Sequence, residues 1–204
     1  MSATATTTPA RASHPRSAIW AFGFVGLPMA TISLPLAIYL APFYAGEMGL
    51  PLAALATAML LGRILDFLVD PFIGYTSDKL RTPYGRRKPF IVVGAAVLLV
   101  ATHYLFRPPQ GAGLVYFMGW LAVMYVGNSL VSVAHRAWGA ELSPHYDERT
   151  HISSVRQYFA TAGLIASTLV PALVLGQQGA KSADVLGSLA TLMWIVLPIA
   201  VATG

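Results

Sequence analysis

Three ionisable side chains lie close together within one apolar stretch of the sequence. Arg63, Asp66 and Asp70 are spaced at i, i+3 and i+7, so a helix would present all three on one face. Two carboxylates one turn apart repel each other unless a proton or a cation neutralises them. The spacing therefore predicts a site for a monovalent cation. The alternative is a structural network in which Arg63 pairs with one of the acids.

The composition places this cluster inside a membrane. Apolar residues make up 56% of the chain and charged residues only 10%, whereas soluble domains carry about 25% charged residues. An ionisable group at the bilayer centre costs at least about 2.5–3.5 kcal/mol, so such a group is functional by default. The net charge of +5 does not indicate a nucleic-acid partner, because the basic residues collect in one short loop between apolar runs.

The apolar runs predict an all-α membrane protein. A helix needs about 20 apolar residues to cross the hydrocarbon core. Residues 1–17 are polar and predict a disordered cytoplasmic tail, so residues 18–204 are expected to form one six-helix transmembrane domain. The last stretch ends without a polar flank, which suggests truncation at the C-terminus. The predicted spans are residues 18–45, 51–77, 89–107, 114–138, 152–176 and 185–204.

The distribution of Lys and Arg predicts a cytoplasmic N-terminus. Basic residues accumulate on the cytoplasmic side of membrane proteins. With the N-terminus inside, only Arg107 and Lys181 lie on the outer side, and every other Lys or Arg outside the second span lies on the inner side. We therefore expect a multi-pass protein of the cell membrane, either an inner or a plasma membrane.

Ordered motifs follow the acid pair and carry a family resemblance. They closely resemble the glycoside–pentoside–hexuronide cation symporters, the melibiose-permease-like branch of the major facilitator superfamily. The resemblance covers about residues 20–176 and implies a six-helix bundle equivalent to the N-terminal half of a twelve-helix major facilitator fold. The motifs are Asp66-x-x-x-Asp70-Pro71, then Gly74 and Asp78, then Gly85-Arg86-Arg87-Lys88-Pro89, and later Gly139-Ala140-Glu141-Leu142 and Val155-Arg156-Gln157.

The resemblance also implies roles for individual residues. Asp66, Asp70 and Ser129 match the carboxylate pair and the hydroxyl that bind Na⁺, Li⁺ or H⁺ in that family. Arg63 and Arg156 match arginines of the second and fifth helices, the latter near the sugar pocket. The expected function is cation-coupled symport of a sugar, a glycoside or a related small solute. No cofactor is expected besides the transported Na⁺ or H⁺.

The solute half of the site departs from the family pattern. Galactoside-binding members carry carboxylates where this chain has Ala30 and Ser132, and carboxylates are strong acceptors for sugar hydroxyls. Asn128 and Ser132 are expected either to line a polar pocket or only to hydrogen-bond between helices. His135 and Arg136 are expected either to contact an anionic solute or to extend toward the membrane interface. A lipid solute, as in distant relatives, stays open.

The loop after the second span predicts a cytoplasmic gate. Asp78 is expected to pair with a cytoplasmic arginine, Gly74 to allow helices to approach closely, and Glu141 to lie in the loop after the fourth span. The alternative is a positive-inside anchor, which needs basic residues but no particular spacing of glycine and acid. The proposed gate residues are Gly74, Asp78, Gly85, Arg86, Arg87 and Glu141.

Two classes of protein fit these observations. The first is a transporter half whose partners are the lipid bilayer, a small solute and a missing second half of six helices. The second is a truncated membrane remnant that does not transport. An enzyme is not expected, because the sequence shows no Ser/His/Asp ordering, metal-ligand motif or phosphate loop.

Overall fold

The described part of the chain is built from α-helices. A computed structural model describes residues 16–80, 82–83, 85–142, 146–176 and 182–203. Most of the predicted tail, residues 1–15, lies outside these ranges, and the first helix begins at Arg16. The helices are α1 (Arg16–Phe24), α2 (Gly26–Ile38), α3 (Leu40–Glu47), α4 (Leu52–Lys79), α5 (Lys88–Phe106), α6 (Leu114–Glu141), α7 (Tyr146–Leu175) and α8 (Ser182–Thr203).

The first apolar stretch is divided into three helices, and a proline lies four residues after the last residue of each of the first two. α1 ends at Phe24 and α2 ends at Ile38, four residues before Pro28 and Pro42 respectively. Proline has no N–H, so the carbonyl four residues earlier loses its helical hydrogen bond. The predicted first span over residues 18–45 therefore comprises three helices, and residues 17–38 make one candidate span.

Six helical segments in the described ranges are long and apolar enough to cross a membrane. This confirms the predicted all-α fold with six spans. The end of the fourth span differs from the prediction, because α6 continues to Glu141. Ala140 and Glu141 favour helix, and the next proline is Pro144. Glu141 therefore lies in the last turn of a helix and not in a loop, which corrects the prediction.

One hydrophobic core runs through the bundle. α6 packs against α4 and α5, α2 packs against α7, and α8 packs against α5. The contact between α2 and α7 requires glycine at position 163, because an added Cβ would lie 2.2 Å from the carbonyl oxygen of Leu27. The backbones of these two helices are therefore in direct contact.

Two helices contribute little to this core. Only 17% of the most apolar stretch of α4 and of α7 is buried, against 39–50% for the other four spans. Their outward side chains include Phe67, Phe72 and Tyr158, which are 76%, 73% and 68% exposed. α4 and α7 therefore lie at the periphery of the bundle, and the predicted cation site on α4 lies next to an exposed apolar surface.

Candidate functional site

Two parallel helices, α4 and α6, place the predicted site residues side by side. They pack closely at Gly62, where an added Cβ would lie 2.4 Å from the Tyr125 ring. The next polar positions along the two helices, Asp66 and Ser129, lie within hydrogen-bonding distance. In chain order the pairs are Gly62 with Tyr125, Asp66 with Ser129, and Asp70 with Arg136.

Asp66 accepts a hydrogen bond from Ser129. The Ser129 Oγ lies 2.5 Å from the Asp66 Oδ1, which is in the range of a charge-assisted O–H···O⁻ bond. Ser129 is completely buried and Asp66 is half-buried. The structure thus brings together one of the two acids and the hydroxyl that the family resemblance matched. The serine oxygen keeps lone pairs that can face a cation.

Asp70 has one loosely paired and one unpaired carboxylate oxygen. Its Oδ2 lies 3.8 Å from the Arg136 Nη2. Its Oδ1 is buried and has no hydrogen-bond partner among the described residues. A buried carboxylate oxygen without a partner carries a desolvation cost. This oxygen is therefore a vacant acceptor directed into the bundle, where a proton or a cation would stabilise it.

Ser132 holds the arginine that faces Asp70. The Arg136 Nε donates to the Ser132 carbonyl oxygen at 3.1 Å, and the Arg136 Nη2 lies 3.4 Å from the Ser132 hydroxyl. Ser132 was predicted either to line a solute pocket or to hydrogen-bond between helices, and its contacts in this structure are to Arg136 of its own helix. The neighbouring Asn128 is half-buried on the same helix.

The remaining predicted site residues lie around this pair of helices. The Arg63 guanidinium lies over the Tyr125 ring, 5.6 Å from its centroid, and it forms no ion pair with either acid in the described part of the chain. Among the described residues, Arg63 therefore does not form the alternative structural network in which it pairs with Asp66 or Asp70. Arg156 lies on α7 and lines a separate cavity together with Arg136.

One cluster contains four residues of the predicted gate: Asp78, Arg86, Arg87 and Glu141. Together with Ser77 they form what we call the Arg87 network. The Arg87 Nη2 lies 2.5 Å from the Asp78 Oδ1 and 2.8 Å from the Glu141 Oε1. Its Nη1 donates to the Ser77 Oγ at 2.6 Å, and the Arg86 Nη2 lies 3.0 Å from Glu141. The network therefore ties the ends of α4 and α6 to the start of α5.

The Arg87 guanidinium is almost fully buried, with 8% of the residue exposed. Burial alone lowers the pKa of Arg87, but hydrogen bonds to Glu141 and Asp78, and their charges, outweigh it and raise that pKa above its ordinary value. Arg87 therefore stays charged at any physiological pH, and the network depends on its two acids being ionised.

The two glycines of the predicted gate have different structural roles. Gly85 has a φ of 99°, a backbone conformation that favours glycine, in the turn before α5. At Gly74 an added Cβ would meet only the Val133 Cγ1, at an ordinary 3.9 Å. The prediction that Gly74 permits a close helix approach is therefore wrong within the described residues. At Gly62 of the same helix, an added Cβ would instead lie 2.4 Å from the Tyr125 ring of α6.

The sequence analysis named Ser129, Ser132 and Arg136 on α6 but did not pair Arg136 with Asp70. Ser129, Ser132 and Arg136 have the same i, i+3, i+7 spacing as Arg63, Asp66 and Asp70 on α4. That matching periodicity indicates two polar faces in one bundle, and it was the available signal for the Asp70–Arg136 pair. Ser77 carried no comparable signal, because a serine near a helix end has many possible partners.

The chemistry available at this site is the binding of a small hard cation or a proton. It offers the carboxylate oxygens of Asp66 and Asp70 and the hydroxyl of Ser129. Oxygen ligands at the interface of membrane helices are typical of sites for coupling ions in secondary transporters. No cluster of three or more His, Cys, Asp or Glu suited to a transition metal occurs among the described residues.

Comparison with known proteins identifies the family whose sequence pattern this chain matches. The sequence pattern of the MFS/sugar transport protein family matches residues 21–203. The uncharacterized symporter YnaJ of Bacillus subtilis is 33% identical over 140 residues, which are 66% of this chain and 30% of that protein. The putative glycoside/cation symporter YagG of Escherichia coli is 28% identical over 62% of this chain and 28% of its own length.

A plant protein gives a similar match. The sucrose transport protein SUC4 of Arabidopsis thaliana is 27% identical over 54% of this chain and 24% of its own length. The chain thus spans less than a third of the length of each of these three relatives. The names of YnaJ and YagG describe symporters, and the names of YagG and SUC4 describe a glycoside and a sugar as solutes.

Proposed function

This chain belongs to the MFS/sugar transport protein family, the melibiose-permease-like branch of the major facilitator superfamily, and on this premise we propose that it forms the N-terminal half of a cation-coupled solute symporter. It is a multi-pass membrane protein of a transporter family and not an enzyme. The proposal adds the position of the cation site, the class of solute and the need for a second half.

The single observation that best supports the proposed cation site is the environment of Asp70. Its buried Oδ1 has no partner among the described residues, and Asp66 with its Ser129 hydroxyl lies one turn away on the same helix. Two acids this close are destabilised when both are ionised. A Na⁺ ion or a proton between them removes that repulsion and fills the vacant acceptor.

The proposed mechanism follows from this electrostatic requirement. Cation binding at Asp66 and Asp70 stabilises a conformation of α4 and α6 that also binds solute. The two ligands then stabilise the same state, which is the condition for coupled binding. Rocking of the loaded half against a second half exposes both ligands to the opposite side of the membrane.

A second six-helix half is the proposed partner. The relatives are more than three times as long as the segment they share with this chain. The exposed apolar side chains of α4 and α7 supply a surface for that half to cover. The Arg87 network lies at the end of this surface. We place the network and the N-terminus on the cytoplasmic side of the membrane, because Lys and Arg concentrate on that side. It would act as a gate that closes against the second half.

The proposed solute is a sugar or glycoside. Support comes from the family and from the solutes for which YagG and SUC4 are named. Asn128 is half-buried on α6, one residue before the Ser129 that contacts Asp66. Ala30 and Ser132 replace the carboxylates of galactoside-binding members, so a solute other than a galactoside is expected.

Cation binding is the direct test, because it needs no knowledge of the solute. We would purify the full-length protein and measure Na⁺ binding by isothermal titration calorimetry and proton release with a pH-sensitive dye. Asp66→Asn and Asp70→Asn should each abolish the response. Glu47→Gln, which alters an exposed acid at the end of α3, should leave it intact.

A wild-type protein that binds neither Na⁺ nor protons at these acids would contradict the proposal. The second measurement is uptake of sucrose and of methyl β-glucoside into proteoliposomes under an inward Na⁺ or proton gradient. Uptake of one of them against its concentration gradient supports symport of a sugar. Cation binding without uptake of either would leave the cation site standing and remove the sugar from the proposal.

A further inference from the structure

A groove between α5 and α8 lies at the end of the bundle opposite the Arg87 network. α5 begins at Lys88, beside Arg87, and Arg107 directly follows its last residue. The groove holds a cavity of about 560 Å³, and no acidic residue lines it in the described part of the chain. The lining residues are Val100, His103, Tyr104, Arg107, Thr191 and Trp194. The groove is therefore largely aromatic, and Arg107 gives it one permanent positive charge.

Aromatic side chains indicate that this groove lies at the level of the lipid head groups. Tyr104 and Trp194 are both exposed in its wall. The Tyr104 ring stacks on the Trp120 ring with centroids 4.5 Å apart, and the Tyr116 hydroxyl donates to the Tyr104 carbonyl oxygen at 2.8 Å. Tyr and Trp concentrate where a membrane meets water, because their rings are apolar and their O–H and N–H groups need polar partners.

The groove lies on two helices outside the surface that we assign to the second half. That surface consists of exposed apolar side chains on α4 and α7, whereas α5 and α8 pack against each other. The side chains exposed in the groove are therefore left to the surrounding membrane. A phospholipid of the adjacent leaflet is the molecule in contact with them.

Arg107 is a positive charge on the side of the membrane where such charges are scarce. Outside the spans, Arg107 and Lys181 are the only Lys or Arg that the predicted topology places opposite the N-terminus, so the positive-inside bias does not account for Arg107. Its Nη2 donates to the Gly187 carbonyl oxygen at 2.9 Å and to the Thr191 Oγ1 at 2.7 Å. A neutral amide can donate such bonds too. The tie between α5 and α8 therefore explains a donor at position 107, but not its charge.

Most donors of the Arg107 guanidinium are left over. Both bonds come from Nη2, and neither Nε nor Nη1 hydrogen-bonds to a described residue. Glu47 and Asp184 line an adjoining cavity together with Arg107, but no ion pair joins Arg107 to an acid within the described ranges. An anchored guanidinium is held in one orientation, and its planar fork matches two oxygens of a phosphate. Arg107 is therefore a fixed and exposed donor for an oxyanion.

We propose that this groove binds a membrane phospholipid, with its phosphate on Arg107 and one acyl chain along Val100 and Trp194. The occupant needs a negative oxyanion for Arg107 and an apolar tail for the aromatic wall, and a phospholipid carries both. The His103 imidazole, whose ring centroid lies 6.1 Å from that of Trp194, supplies a second polar group in the wall. The inference goes beyond the proposed function, because it requires only a chain that spans a membrane and involves neither the cation site nor the solute.

Lipids with and without a phosphate test the inference. Phosphatidylglycerol and diacylglycerol with the same acyl chains are titrated into the full-length protein in a neutral detergent, and native mass spectrometry measures each affinity. Phosphatidylglycerol should bind about tenfold or more tightly than diacylglycerol, because charge-assisted hydrogen bonds are the strong ones. Glycerol phosphate, which has the phosphate without the chains, should not bind at the same concentrations, since it buries no acyl chain.

Variants of Arg107 separate this site from lipid bound elsewhere on the protein. Arg107→Gln should weaken binding of phosphatidylglycerol by about tenfold and leave binding of diacylglycerol little changed. Arg107→Lys keeps the charge without the planar fork, so its affinity should lie between those of the wild type and Arg107→Gln. Lys79→Gln removes an exposed positive charge on α4 at the other end of the bundle and should change neither affinity. Melting temperatures show whether each variant is folded, and if Arg107→Gln is not, the loss in Arg107→Lys decides.

Several outcomes would overturn the site. Equal affinity of the wild type and the Arg107 variants for phosphatidylglycerol would mean that lipid binds only non-specifically around the helices. Equal binding of phosphatidylglycerol and diacylglycerol would remove the phosphate from the inference, and binding of glycerol phosphate alone would assign Arg107 to a soluble phosphate. Phosphatidylethanolamine has the phosphate without a net charge, so its affinity should also fall in Arg107→Gln. An unchanged affinity would show that Arg107 responds to net charge and does not contact the phosphate.

Discussion

The Ser129 hydroxyl on α6 donates a 2.5 Å hydrogen bond to the Asp66 carboxylate on α4. These residues are 63 positions apart in the chain, and the glycine at position 62 brings their helices together one turn earlier. The pair joins an acid at membrane depth to a fully buried hydroxyl. Four predictions follow from this region and from the contacts that support it.

Removing the Ser129 hydroxyl should weaken cation binding. In Ser129→Ala, Asp66 loses its donor and a cation loses an oxygen ligand, so we expect cation affinity to fall by roughly tenfold, the effect of about one charge-assisted hydrogen bond. Calorimetric titration with Na⁺ measures it. Ser167→Ala is the matched control, because Ser167 is also buried but, among the described residues, donates only to the Leu164 carbonyl of its own helix. Equal loss in both variants would contradict a ligand role for Ser129.

Neutralising Arg136 should strengthen cation binding. Arg136 and a cation compete for Asp70, whose Oδ2 lies 3.8 Å from the guanidinium. In Arg136→Gln the competitor is absent, so Na⁺ affinity measured without solute should rise by a few fold, as expected for one half-exposed ion pair worth about 0–1 kcal/mol. Lys79→Gln should show no such rise. A fall in affinity would mean that Arg136 supports the cation site.

The Arg87 network should contribute to stability through Arg87 much more than through Arg86. Arg87→Gln leaves Asp78 and Glu141 without their common partner, and we expect the unfolding free energy to fall by about 1–3 kcal/mol. Arg86 is 43% exposed and contacts only Glu141 among the described residues, so Arg86→Gln should cost no more than about 1 kcal/mol. Thermal unfolding followed by tryptophan fluorescence compares the two. Similar losses would show that burial of Arg87 is unimportant.

A methyl group at position 163 should separate α2 from α7. In Gly163→Ala the added Cβ lies 2.2 Å from the Leu27 carbonyl oxygen, and backbone cannot move aside as a side chain does. Overpacking of this kind costs about 1–3 kcal/mol. Gly119→Ala on α6 meets nothing within 4 Å and serves as the control, with a neutral or slightly stabilising effect. An unchanged melting temperature in Gly163→Ala would exclude backbone contact between these helices.

Hydropathy was enough to predict the six spans, because a lipid-exposed backbone must satisfy its own hydrogen bonds and long apolar helices do so within one segment. The same logic did not predict the two divisions of the first apolar stretch. These follow Phe24 and Ile38, four residues before Pro28 and Pro42, where a proline removes a helical hydrogen bond. The composition signal extends over tens of residues, whereas the effect of a proline is local.

The chain alone determined that Arg63, Asp66 and Asp70 share a helix face, because residues three, four and seven apart recur on one side of any α-helix. It also determined the membrane class and, through its motifs, the family. Only the tertiary structure decided which helix packs against this face of α4. It paired Asp70 with Arg136 and not with Arg63, and it placed the close approach at Gly62 and not at Gly74. Such pairings depend on the packing of distant segments, which helical periodicity within one segment does not specify.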